Sequence, residues 1–294
     1  MKITECIGDT PMVKIKNIYG SEFANVYVKM EELNPGGSVK SRVGIQMIKD
    51  AEEKGLLSLG SKIIEPTGGN TGLGLALAAS IKGYRLTLVI PDNFSQEKIK
   101  TLKKYNAEIV LSDHTSGPGS HVRLVKEMIK KDNSYVYLDQ FSNESNPKAH
   151  YLHTGVEILE QTSGNVDAFV AGIGSGGTVM GVGKRLKEYD ENIKIFGVQP
   201  KGCDFFNEKF ITHKIEAISV GVVSSFIDKA MIDEMLSVEF DEVEKFRDYL
   251  SKEEGLFVGI SSGANILASL KLSKRYSNQF NIVTIAPDSG RSYM

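Results

Sequence analysis

Short runs rich in Val, Ile and Leu alternate along this chain with longer stretches whose apolar residues recur at helical spacing. Strand-like runs fall at 26–29, 62–64, 86–90, 108–111, 135–138, 168–171, 194–198 and 282–286. Helical patterns fill the intervals at 39–54, 73–82, 96–105, 121–131, 147–161, 178–189, 241–254 and 262–276. Strand, loop and helix in repeated order predict an α/β protein with mostly parallel sheets flanked by helices, because parallel neighbours need a crossover. Residues 73–79 are apolar nearly all round, as a helix packed between two layers would be. Asn, Ser and Pro cluster at 143–147, a seam that suggests two domains.

The chain has 294 residues, enough for one large or two modest domains. A net charge of -2 gives no electrostatic reason to expect nucleic acid or an anionic membrane as partner. No stretch approaches the ~18 apolar residues of a membrane span, and the opening segment lacks the apolar core of a signal peptide. The cytoplasm is the expected compartment. Two cysteines, Cys6 and Cys203, make neither a disulfide framework nor a zinc site, and the five histidines have no metal-ligand spacing. No metal is expected.

Glycine changes the picture, because the 29 residues concentrate at strand ends. One loop runs Thr67-Gly68-Gly69-Asn70-Thr71-Gly72, a second Gly172-Ile173-Gly174-Ser175-Gly176-Gly177-Thr178, and a third Gly259-Ile260-Ser261-Ser262-Gly263. Each follows or opens a predicted element, where glycine permits a tight turn and helix N-termini offer free N–H groups. The second loop suits a phosphate dianion. Turn punctuation alone explains any one of the three. All three together, at the carboxyl edge of parallel strands, mark a ligand site. Gly172, Gly174 and Gly177 also match the dinucleotide fingerprint, so a nicotinamide-dependent dehydrogenase is the alternative of a different class. That fingerprint wants an acidic residue ending the next strand, and here Gln199-Pro200 stands there. Lys40 follows the turn Asn34-Pro35-Gly36-Gly37 and falls in a first helical turn, where a cation is disfavoured. A nucleophilic lysine needs such a setting, although on spacing alone a solvated surface lysine is the better account.

These motifs together resemble the pyridoxal-phosphate (PLP) enzymes of fold type II, in the cysteine synthase (O-acetylserine sulfhydrylase) and cystathionine β-synthase family. The resemblance rests on Ile7-Gly8-Asp9-Thr10-Pro11, the Asn-Pro-x-x-Ser-Val-Lys run ending at Lys40, the Thr67 loop, and Gln140-Phe141 with Asn146-Pro147 and His150. It continues with Gly-x-Gly-Ser-Gly-Gly-Thr ending at Thr178, Gly-Ile-Ser-Ser-Gly-Ala from Gly259, and Pro287-Asp288-Ser289-Gly290. It implies a two-domain, tryptophan synthase β-like fold, with residues 1–38 plus 147–294 as the larger phosphate-binding domain and 39–146 as a mobile substrate domain. By the same resemblance Lys40 would form the Schiff base with PLP and move the substrate's α-proton. Gly174, Ser175, Gly176, Gly177 and Thr178 would hold the phosphate, Asn70 the ring hydroxyl, and Ser261 the pyridine nitrogen. Thr67, Gly68, Gly69, Thr71 and Gln140 would bind the substrate carboxylate. The implied activity is β-elimination or β-replacement on cysteine, O-acetylserine or serine through an α-aminoacrylate, with sulfide, water or a thiol as second partner, in a homodimer.

Two departures matter. The family usually has serine where Gly68 stands, so one carboxylate-binding hydroxyl is missing. The stretch Val220–Asp228 is shorter than the family pattern and would bring Asp228 to the pocket mouth. There Asp228 is a candidate general base for water or a thiol. A plain N-cap before a helix over 229–236 is the competing reading. Cysteine synthesis, sulfide release from cysteine and cystathionine synthesis all remain open at this point.

Overall fold

The computed structural model describes residues 2–294. The smaller of its two sheets has the order β5 (Glu108–Ser112), β4 (Arg85–Pro91), β3 (Lys62–Glu65), β6 (Tyr135–Tyr137), all parallel. The larger orders β1 (Met12–Ile15), β2 (Asn25–Met30), β10 (Asn281–Ala286), β7 (Ala168–Gly172), β8 (Lys194–Pro200) and β9 (Glu234–Val238). Only the β1–β2 pair in it is antiparallel. Ile63, Val89, Val170 and Ile282 are wholly buried, as expected of parallel strands covered on both faces.

The covering helices follow from the pattern of the chain. Helices α1 (Lys40–Glu53) and α2 (Asn70–Lys82) pack on the small sheet, and α2 is buried along Leu75–Ala79. The opposite face takes α4 (Ser120–Lys131), whose Val125 packs on Ile64 and Val89; α3 (Gln96–Lys104) lies along the edge of the α2 side. On the large sheet, α7 (Gly177–Tyr189) covers one face, while α8 (Phe240–Glu253) and α9 (Ile260–Ser273) cover the other. Among the described residues no helix is long and apolar enough to cross a membrane.

One local expectation is corrected, and two local features go beyond the sequence pattern. The helix expected over 147–161 is present and runs without a break through α5 (Ser145–Ala149), a π-turn at His150–Thr154 and α6 (Gly155–Thr162), with right-handed helical backbone at both junctions. This segment packs closely on α7: a Cβ on Gly181 would collide with the Pro147 carbonyl and stand 2.7 Å from His150 Cβ. The helix expected over 229–236 is a 3₁₀ turn at Lys229–Met231 followed by β9. Pairing with β8, Phe196 opposite Glu234, overrides the helical composition of that segment. Edge strand β1 carries too short a pattern to be read from sequence.

A buried ion network ties α1 to the large sheet. Arg42 pairs with Glu31 at 2.6 Å and Glu157 at 2.6 Å, and Lys29 reaches the same Glu157 at 2.7 Å. Burial alone would raise the Glu157 carboxyl, but hydrogen bonds and charge from Arg42 and Lys29 bring it down to about 2. Thr10, from the Gly-Asp-Thr-Pro motif, donates to Glu31 at 2.7 Å. That motif is therefore a brace for the helix that carries Lys40.

Candidate active site

The carboxyl ends of β3, β7 and β10 open onto a cleft of about 430 Å³ between the two sheets. Lys40 projects into it from the first turn of α1, whose backbone N–H is taken by Ser38 Oγ at 3.3 Å. Burial lowers the Lys40 amine to about 8, against a partial recovery from the negative charge of Asp288. A neutral amine is thus accessible near neutral pH.

Thr67, Gly68, Gly69, Asn70 and Thr71 form one wall, from the loop between β3 and α2. Thr71 donates to Gln140 at 2.7 Å, which brings the two expected carboxylate-binding side chains together. Gln140 is held from behind: Glu65 accepts the Asp139 and Gln140 backbone N–H groups, each at 3.0 Å. Burial pushes the Glu65 carboxyl up to about 8, opposed by those two bonds. Gly68 leaves no room for the serine of the family pattern. A Cβ there would stand 2.8 Å from both Ile90 Cγ2 and Phe94 Cε1.

The opposite wall is the turn into α7. Gly174, Ser175, Gly176 and Thr178 line the cleft, while Gly177 lies just behind it. Gly176 has φ +84, and a Cβ on it would run into Ile227. A Cβ on Gly174 would meet the Ala217 carbonyl, and one on Gly177 would meet Asn146 Oδ1. The bare backbone N–H groups at the start of this long helix form an anion cradle that no side chain fills. Asn146 steadies it, donating to Ser175 Oγ at 3.0 Å and to the Gln140 carbonyl at 2.8 Å.

At the N-terminus of α9, Ser261 Oγ is buried with no hydrogen-bond partner. Beside it Asp288, which ends the turn after β10, accepts from Asn70 at 2.7 Å and from the Tyr293 hydroxyl at 2.7 Å. Burial pushes the Asp288 carboxyl up, and its Oδ1 has no partner. A reactive amine, an anion cradle and an orphaned neutral hydroxyl in one cleft fit a flat, phosphorylated, aldehyde-bearing aromatic cofactor such as PLP.

Asp228 is not part of this arrangement. Its carboxylate caps Ala230 at 2.9 Å and lies in a shallow outer groove with Lys184, Lys187 and Glu188. The expected position at the pocket mouth is corrected: Phe226 and Ile227 turn inward onto the α7 core and leave Asp228 outside. Sequence reasoning assigned no role to Phe94, Lys98, His121, Glu216 or Tyr293, all of which line the cleft. Lys98 reaches from α3 to within 3.6 Å of Glu216 and 5.1 Å of the Tyr293 ring centroid. Only Asp288 carried a usable signal, as an acidic residue just past a buried strand.

Fold and site together define an α/β protein with a buried lysine in a cleft between two mostly parallel sheets. The chain belongs to the pyridoxal-phosphate dependent enzyme family, whose model matches residues 3–288. It is similar to cystathionine beta-synthase of Apis mellifera, 41% identical over 99% of this chain. The chain spans 60% of that relative's length. It is 39% identical to a cysteine synthase of Staphylococcus aureus, covering 99% of this chain and 94% of the relative. A solved hydrogen sulfide-producing enzyme from Fusobacterium nucleatum superposes with a TM-score of 0.93 at 38% identity, covering 99% of this chain and 97% of that one. The fold is PLP fold type II, and the protein is a PLP-dependent enzyme of the cysteine synthase and cystathionine β-synthase type.

Proposed function

We propose that this enzyme catalyses β-replacement on serine-type amino acids, joining sulfide to the β-carbon of O-acetylserine to give cysteine. The observation that carries this reading is Lys40, an amine lowered to about 8, in one cleft with the unpartnered Ser261 hydroxyl. When bound, PLP supplies an electron sink for the pair left at the substrate's α-carbon. Lys40 Nζ takes the α-proton and later returns it. Ser261 offers the ring nitrogen a neutral hydroxyl instead of a carboxylate, which weakens the sink and favours loss of a β-substituent over transamination. Thr67, Thr71, Gln140 and the Gly68–Gly69 backbone hold the substrate carboxylate. Residues 174–178 hold the phosphate, and the unit of residues 39–146 closes over the substrate to exclude water.

A second reading is sulfide release, in which cysteine loses its thiol and water or another thiol replaces it. Gly68 supports it: with Phe94 and Ile90 filling the position of the missing serine, the carboxylate loop departs from the synthase pattern. The likeness to a hydrogen sulfide-producing enzyme points the same way. Cystathionine formation from serine and homocysteine is the remaining variant. Incubation of the purified holoenzyme with O-acetylserine and sulfide, with cysteine alone, with cysteine and a thiol, and with serine and homocysteine separates them by mass spectrometry of the products. Fast cysteine formation supports the first reading, and faster sulfide release from cysteine the second. No β-substituted product from any mixture would overturn both.

A further inference from the structure

Displacing Asp228 from the cleft leaves open which side chain receives the proton of an incoming water or thiol. This question rests on the β-replacement reading. Lys40 is committed to the α-proton. Asp288 is tied to Asn70 and Tyr293, and Glu216 faces Lys98. His121 has no such engagement. It lines the cleft from the first turn of α4, in the small-sheet unit. Its Nδ1 is buried without a hydrogen-bond partner.

We propose that His121 is the general base that takes the proton of the second nucleophile. In the step it serves, the O–H or S–H proton moves to the unprotonated imidazole nitrogen while the nucleophile's electron pair forms the bond to the substrate's β-carbon. The α-carbon takes back the proton held at Lys40, and His121 passes its own to solvent, into which the leaving group has departed as an anion. The surroundings keep the imidazole neutral and able to accept. Burial and the Arg123 charge lower its pKa. A helix N-terminus disfavours the cation further. Across the cleft stand Lys40 and Lys98, with Glu216 and Asp288 as the acidic groups.

The test compares His121→Gln and His121→Ala with wild type in holoenzyme form. The optical change on adding the first substrate without a nucleophile reads the first half of the reaction and should stay within about twofold. Turnover with a neutral thiol or water should fall on the order of 10²-fold. Turnover with sulfide, which loses its first proton near neutrality and arrives as an anion, should change far less. In His121→Gln the thiol pH profile should lose the limb set by the imidazole and instead follow the thiol's own ionisation, and imidazole should restore His121→Ala. In wild type, an NMR titration of the His121 ring should place its pKa below that of a free histidine. Equal losses with sulfide and thiols, a thiol pH profile unchanged in His121→Gln, or a first half slowed as much as the second would overturn the base while leaving β-replacement intact. A wild-type enzyme giving no optical change with cysteine, serine or O-acetylserine would overturn the underlying reading itself.

Discussion

Lys40 shows how position sets chemistry for a single residue. The same side chain on the surface keeps its proton to about 10.4, whereas burial in the cleft lowers it to about 8. Only the neutral amine attacks an aldehyde, so the sign is fixed. The rate at which apoprotein captures PLP should rise about tenfold per pH unit below about 8 and level off above it. Stopped-flow absorbance across pH 6 to 10 checks this, and a profile still rising at pH 10 would mean an unperturbed lysine. Lys40, Thr67, Asn70, Ser175 and Ser261 could be singled out because they fall in ordered motifs shared with the family, whereas spacing alone left Lys40 a surface residue. Lys98, His121 and Glu216 could not be. They lie on surfaces far apart in the chain, and only the facing of the two sheets joins them. Asp228 was misplaced for a related reason: a short segment was read by alignment, while its direction is decided by Phe226 and Ile227 seeking the core.

Among the elements, the contact between α1 and α2 governs where Lys40 points. A Cβ on Gly44 would collide with the Gly74 backbone, and one on Gly74 would collide with the Lys40 carbonyl. The two glycines let α2 lie directly against the turn that carries the reactive amine. Gly74→Ala should therefore do more than its higher helix propensity suggests. It forces the helices apart and should cost about 1–3 kcal/mol as overpacking, against a gain of about 1 kcal/mol from propensity. Urea denaturation measures the balance, and a variant more stable than wild type would show that the interface yields freely. The helix expected over 147–161 was legible from its periodicity, but the π-turn within it was not, since it lies against Gly181 on another helix. Strand β9 was hidden likewise, because pairing with β8 rather than local propensity makes it extended.

For the molecule as a whole, two parallel sheets direct their carboxyl edges into one cleft, and a buried network of Lys29, Glu31, Arg42 and Glu157 joins the lysine-bearing helix to the larger of them. The alternation of strands and helices conveyed this architecture, and the glycine loops conveyed which edge bears ligand. The central claim is that the cleft works through one lysine held at that junction. Borohydride reduction of the holoenzyme, followed by proteolysis and mass mapping, tests it most directly. The account predicts the phosphopyridoxyl mass on the peptide containing Lys40 and its loss in Lys40→Ala. Label on Lys98 or another lysine, or none on a protein that binds PLP, would contradict it.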